Sequence, residues 1–191
     1  MEELLVRLPT EMPSGVPESV PELGALLTQL LRCGEPSLVV PAIESLARLS
    51  AVDQNEPHLH ALFAAEPSVA SVLVDHLEPE ADPLAPLLEA ALDTLCVLSA
   101  AALPLRLHLA KERSLLPRLL TLLGSPASQA HSRRAAIILH NLTSAPGNHN
   151  AFRPYEAGLL GLAMNPPGET GANAGTLISE VTLELNPTPA W

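Results

Sequence analysis

Aromatic side chains are nearly missing from this sequence: two Phe, one Trp and one Tyr among 191 residues. Sheets draw on β-branched and aromatic residues, so a hydrophobic content of 47% supplied mainly by Leu, Val and Ala favours packed helices. Cysteine is scarce as well. Cys33 and Cys96 each lie in an apolar helical pattern with no second Cys at metal-ligand spacing, which excludes a disulfide framework and reads as two reduced core thiols of an intracellular protein. No apolar run approaches the roughly 20 residues that span a bilayer, and Met1-Glu2-Glu3, with a first basic residue at Arg7, does not read as a secretory leader. A soluble protein without a membrane partner is expected.

Basic residues are few, and their placement is uneven. Ten Lys and Arg face 21 Asp and Glu, for a formal charge of −11. Residues 1–93 carry 16 acidic and 3 basic side chains, whereas residues 94–191 carry 5 and 7. Arg106, Lys111, Arg113, Arg118, Arg133, Arg134 and Arg153 fall within one stretch with Glu112 as its only acid before Glu156, so one end of the molecule is expected to be positive.

What the chain does have is proline and leucine in order. The 20 Pro are about twice the usual share of roughly 5%, but they are dispersed as punctuation. Glu35-Pro36, Glu56-Pro57, Glu66-Pro67, Asp82-Pro83 and Ser125-Pro126 each stand where an apolar pattern begins. Pro suits the first helical turn, whose amides have no partner, and a carboxylate or hydroxyl there can cap it or favour the positive end of the dipole. Gly34 and Gly124 follow apolar runs where helices are expected to stop. Between Leu84 and Leu98 the set Leu84, Leu87, Leu88, Ala91, Leu92, Leu95 and Leu98 keeps the i, i+3, i+4, i+7 rule of a helix with a broad buried stripe. Thr182-Leu183-Glu184-Leu185 alternates like a strand but reads equally well as part of a final amphipathic helix.

Leu46-Ala47-Arg48-Leu49-Ser50, Leu95-Cys96-Val97-Leu98-Ser99 and Leu139-His140-Asn141-Leu142-Thr143 repeat the pattern Leu-x-x-Leu-Ser/Thr, with starts 49 and 44 residues apart. After each copy comes a turn, a short helix (His58 to Phe63, Leu105 to Leu109, His149 to Phe152) and another apolar helix. A period in this range is that of armadillo or HEAT units, each of which hides its apolar face only by stacking on its neighbours. The expectation is an all-α armadillo/HEAT-like helical repeat solenoid over residues 21–186. It has about three repeats and a closing helix at Thr176 to Leu185, between a flexible segment 1–20 and a tail 187–191.

The segment Arg133 to Leu160, RRAAIILHNLTSAPGNHNAFRPYEAGLL, resembles the C-terminal armadillo-like domain of the large AT-rich-interaction-domain (Osa-like) subunit of SWI/SNF chromatin remodellers. The resemblance rests on Arg133-Arg134-Ala135-Ala136, the Leu-x-x-Leu helix end, Asn148-His149 before Phe152, and Tyr155-Glu156 leading into Leu159-Leu160. Weaker similarity runs through Glu44–Ser50, Leu92–Ser99 and Leu177–Leu185, so that it covers roughly residues 36–186. It implies a nuclear, non-catalytic scaffold that contacts other protein subunits of a remodelling complex. The family's AT-rich interaction domain and low-complexity regions are not in these residues, so the resemblance gives no support to direct DNA binding.

Sites of chemistry are harder to find. His58 with His60, and His131 with His140 and His149, suggest metal ligands, but i and i+2 point to different helical faces and no i, i+4 pair completes a set. Surface or helix-packing histidines are the expectation, and no cofactor. Neither Ser99, Cys96 nor Cys33 sits on a nucleophile elbow, and the Gly168 to Gly175 tract, with no strand before it, reads as a linker and not a phosphate loop, so no enzymatic activity is expected. Armadillo proteins that bind extended peptides repeat an Asn on the inner helix; the equivalent positions here hold Arg48, Val97 and Asn141, which is one Asn in three. A peptide-binding adaptor in trafficking or signalling is therefore the second reading. The basic residues Arg106, Lys111, Arg113, Arg118, Arg133, Arg134 and Arg153, with Asn141, are the candidate partner contacts. Acidic net charge and a lack of stacking aromatics favour a protein partner over nucleic acid.

Overall fold

Each Leu-x-x-Leu-Ser/Thr copy closes a long helix, and both of its leucines go inside. Leu46, Leu49, Leu95, Leu98, Leu139 and Leu142 are all buried. The hydroxyl that follows turns back into the last helical turn: Ser50 Oγ donates to Leu46 O at 2.7 Å, Ser99 Oγ to Cys96 O at 3.0 Å, and Thr143 Oγ1 lies 3.1 Å from Leu139 O. Each of these carbonyls already accepts its helical amide bond, so the contact satisfies the hydroxyl itself, which would otherwise sit unpaired beside the core. The repeated motif is thus a buried helix end whose hydroxyl is satisfied locally.

The chain is described here from a computed structural model covering residues 19–52, 55–77, 85–124, 129–164 and 171–185. Among the described residues there are only helices and turns. They are α1 (Ser19–Arg32), α2 (Pro36–Ser50), α3 (Glu56–Ala65), α4 (Ser68–Asp75), α5 (Ala85–Ala100), α6 (Leu103–Leu109), α7 (Leu115–Gly124), α8 (Gln129–Thr143), α9 (His149–Phe152), α10 (Glu156–Met164) and α11 (Gly171–Leu185). Short 3-10 turns, Pro146–Asn148 and Arg153–Tyr155, flank α9.

These helices form three units of three: α3-α4-α5, α6-α7-α8 and α9-α10-α11. Each has a short first helix, a middle helix and a long third one. The pair α1-α2 precedes them, with α1 packed on α2, α3 and α4. The long helices make a ladder, α2 on α5, α5 on α8 and α8 on α11, while α3 packs on α6 and α7 on α10. The long helices of successive units therefore meet in the same way at every step, which is the translational relation of a solenoid. Three helices per unit make it armadillo-like and not HEAT-like, whose units have two. The core runs unbroken from Leu27 to Val181.

Several helix boundaries differ from expectation. The acidic residue before Pro does not cap the helix at α2, α3 or α4: no side-chain bond reaches the first-turn amides. Instead, in the two Glu-Pro-Ser copies, Ser37 Oγ donates to Glu35 Oε1 at 3.2 Å and Ser68 Oγ bonds Glu66 Oε1. The sites at Asp82-Pro83 and Ser125-Pro126 lie outside the described residues, as do the segment 1–18 and the tail 186–191. Gly34 has φ +72°, the left-handed stop that only glycine adopts without cost. Of the expected linker Gly168–Gly175, the described residues 171–175 are helical: α11 begins at Gly171, because packing against α8 and α10 outweighs the weak helix propensity of two glycines. The strand alternative at Thr182–Leu185 falls inside the same helix.

A seal on these helix ends was not anticipated. Asn55 and Asn148 each stand six residues after the second Leu of a motif, both are buried, and each donates through Nδ2 to that Leu's carbonyl, at 2.9 Å to Leu49 O and 2.9 Å to Leu142 O. Asn148 also reaches Arg106 O at 3.2 Å, bridging the second unit to the third. The middle copy has Pro104 at this position, and the Arg106 guanidinium takes over, with Nε 2.9 Å from Ala101 O and Nη1 2.8 Å from Ser144 Oγ. Replacing Asn148 with Ala removes the side-chain donor from two carbonyls, with Ala145 N–H still reaching Leu142 O and Ala110 N–H still reaching Arg106 O, and is expected to cost roughly 0.5–1.5 kcal/mol of unfolding free energy. Asn150→Ala, at an exposed position nearby, should cost nothing measurable; equal denaturation midpoints for the two variants would refute the seal.

Candidate functional site

The ladder of long helices is held by side chains as well as by burial. Between α2 and α5, Thr94 Oγ1 sits 3.2 Å from Ile43 O and 2.8 Å from Ala90 O of its own helix. Between α5 and α8 the ties form one stripe. Glu89 faces His131 at 3.8 Å, Asp93 takes an ion pair from Arg134, Cys96 Sγ lies 3.7 Å from Arg134 O, and Asn141 Nδ2 donates to Ser99 Oγ at 3.1 Å. Positions 89, 93, 96 and 99 recur at helical spacing, so they line a single face of α5. Between α8 and α11, His140 Nδ1 approaches Glu180 Oε2 at 3.7 Å. On the other side of the stack, Arg118 of α7 pairs with Asp75 at 3.2 Å and bonds Val74 O, at the end of α4.

This geometry divides the expected contact residues into two groups. Arg106, Arg118, Arg134 and Asn141 are half-buried and engaged between units. Lys111, Arg113, Arg133 and Arg153 are exposed, and they sit on three different parts of the fold: the α6–α7 turn, the first turns of α8, and the 3-10 turn before α10. Asn141, the one residue in register with the peptide-binding Asn of armadillo proteins, directs its amide to Ser99. Inter-unit work thus takes up part of the basic stretch.

The histidines mostly serve helix ends and ion pairs. His76 Nε2 lies 3.1 Å from Leu31 O and His149 Nε2 2.9 Å from Thr143 O, while His131 and His140 face the carboxylates already named. Among the described residues no three His, Cys, Asp or Glu side chains converge on a point where a metal ion would fit. None of the described helices is long and apolar enough to cross a membrane. The two thiols are unlike each other. Cys33 is exposed in the turn after α1, which corrects its assignment to the core: α1 stops at Arg32, and the left-handed Gly34 carries the chain away. Cys96 is half-buried in the ladder, where burial pushes its thiol up to about 11; the Asp93 carboxylate adds to this and Arg134 partly opposes it.

Three hollows lie along the stack. One of about 470 Å³ separates α2 from α5, with Glu44, Arg48, Glu89 and Asp93 on its walls. A larger one of about 660 Å³ sits at the C-terminal ends of the same two helices, lined by Ser50, Val52, Val97, Ala101 and Arg106. A third of about 240 Å³ lies between the short helices α3 and α6. The first two lie along the ladder of long helices. None joins a nucleophile to a base or an oxyanion donor.

Two predictions follow from the titrating groups. A thiol reagent at neutral pH should modify Cys33 in the folded protein and leave Cys96 untouched until denaturant is added, since the thiolate is the attacking species; mass spectrometry of the two peptides reads the order directly, and early labelling of Cys96 would contradict its placement. Burial lowers the His108 pKa from its ordinary 6.5, helped by nearby Lys111 and His60. The unfolded chain then takes up its proton first, so stability is complete above pH 6.5 and falls as pH drops through that value. His108→Phe should flatten this slope while keeping the ring contact to Phe63, whose centroid lies 5.7 Å away. Parallel stability-against-pH curves for the two proteins would sink the assignment.

Known proteins add little at the level of sequence. No protein-family profile and no curated protein sequence matches the chain. Among solved structures, a designed armadillo repeat protein is similar, with a TM-score of 0.44 and 13% identity over 95% of this chain and 98% of that one.

Proposed function

We propose that this chain is a non-catalytic scaffold on which other protein subunits dock. In its finer form the proposal places it in the nucleus as part of a SWI/SNF-type chromatin remodelling complex. The observation that carries the scaffold reading is the ladder α2-α5-α8-α11, packed at every step and tied by side chains between α2 and α5 and between α5 and α8. A stack fixed in this way offers long, rigid ridges and open hollows, which suit docking better than turnover. The remodeller assignment rests on the resemblance of residues 133–160 to the Osa-like subunit. Several residues that carry the resemblance, including Asn148, Phe152 and Leu159, are buried here, so they speak first for a shared unit and through it for a shared role.

The peptide-adaptor reading has one observation in its favour, the 470 Å³ hollow along the ladder of long helices. The engagement of Asn141 with Ser99 weighs against it, because the amide that would hold a peptide backbone is already used.

Affinity capture with the tagged chain from nuclear extract tests the proposal: remodeller subunits should be recovered, and recovery of short peptide ligands alone would defeat it. Charge reversal separates contact from packing. Arg133→Glu, at an exposed position, should weaken assembly without changing helix content by circular dichroism. Arg134→Glu sets a second carboxylate beside Asp93 and should lower stability by about 1 kcal/mol whether or not a partner is present. Unaltered capture by the Arg133→Glu protein would remove that residue from the interface.

A further inference from the structure

The hollow between α3 and α6 differs in kind from the two on the ladder of long helices. Its walls include His60, Phe63, Pro104, Leu107, His108 and Lys111, and no acidic residue lines it. In a chain of net charge −11, a groove that gathers three cationic or protonatable groups and no carboxylate stands out from its surroundings. The hollow between α2 and α5 has the reverse character, with three carboxylates on its walls.

His108 is the second observation. Its ring is tilted against Phe63, and its Nε2 is enclosed with no hydrogen-bond partner. That nitrogen is covered by this chain's own atoms, so a charge placed in the groove acts on the imidazole through space and not by contact. Of the other half-buried histidines, His76 and His149 face carbonyls of this chain and His131 a carboxylate, while His140 Nδ1 also lacks a hydrogen bond but has the Glu180 carboxylate 3.7 Å away; no carboxylate lines the groove at His108.

We propose that the α3–α6 groove receives an acidic side chain from a partner protein, a Glu or Asp flanked by aliphatic residues. The carboxylate would meet His60 and Lys111 beside His108, and the aliphatic neighbours would rest on Phe63, Pro104 and Leu107. Charge complementarity selects the partner's chemistry: an anion pairs with the exposed Lys111 ammonium and His60 imidazole in a groove without carboxylates, and a hydrogen bond with a charged partner is about twice as strong as a neutral one. The groups facing His108 across the groove are His60 of α3 and Lys111 just past the end of α6. Both are basic and add to the burial that mainly holds the His108 proton off, so an anion docked among them opposes that shift. Binding should accordingly tighten as pH falls through the imidazole range, while the partner's carboxylate remains ionised. The inference deepens the scaffold reading by naming the chemistry of one docking point, and rests on it.

The test uses the whole chain with ring-labelled histidines, titrated with a blocked tetrapeptide Leu-Glu-Leu-Leu, with its Leu-Gln-Leu-Leu counterpart, and with acetate. The glutamate peptide should give saturable shifts at the His60 and His108 resonances and raise the apparent pKa of His108. The glutamine peptide should bind roughly tenfold more weakly. His60→Ala and Lys111→Ala, both at exposed positions, should each weaken binding severalfold with unchanged circular dichroism. Absence of saturable shifts overturns the proposal, as does equal binding of the two peptides. Acetate binding as tightly as the glutamate peptide would make this a small-anion site and overturn the assignment to a protein partner. Because no remodeller subunit enters this titration, its failure is distinct from failure of the nuclear capture.

Discussion

A helix that ends inside a protein must hide its leucines and also find partners for its last carbonyls, and the long helices of this chain meet the first demand with the Leu-x-x-Leu pair and the second with a side chain from the turn that follows. In each Leu-x-x-Leu-Ser/Thr copy the leucines enter the core and the hydroxyl turns back to the last turn. Asn55 or Asn148, or Arg106 in the middle unit, then supplies the side-chain donor to the helix end and fastens the following short helix. Apolar burial alone would stack helices in many ways. Sealing the same end of each long helix makes the chain turn at the same point in each unit, and the repeated architecture follows.

The repeat itself was legible because leucine spacing records helical geometry directly. The Leu-x-x-Leu copies, the short helices after them and the stop at Gly34 all appear in the structure at or within a few residues of the expected places. Counting from each motif gives three copies and a closing helix; counting from each short helix gives three whole units after a pair. These are two phases of one arrangement. The Glu-Pro caps give way to a local competitor, the Ser hydroxyl two residues on that takes the carboxylate, whereas at Gly171–Gly175 tertiary packing of α11 outweighs weak helix propensity.

The engagement of the basic residues was not legible in the same way. Arg106 meets Ser144, Arg134 meets Asp93, Asn141 meets Ser99 and Arg118 meets Val74, at separations of 38, 41, 42 and 44 residues. Local patterns are blind at that range. Yet each separation is close to one repeat length, so writing the units above one another would have brought every pair into adjacent rows. The seal by Asn55 and Asn148 had a signal too, an identical offset of six from the second leucine, masked by Pro104 in the middle copy.

Aliphatic surfaces slide over one another at little cost, and a core almost without aromatic rings has few shapes that resist it. Displacing α8 along α5 by one turn, about 5.4 Å, would still bring leucine against leucine. It would also part Glu89 from His131, Asp93 from Arg134 and Ser99 from Asn141 in a single step. The polar stripe therefore sets the pitch of the superhelix, and with it the spacing at which successive ridges are presented to whatever binds.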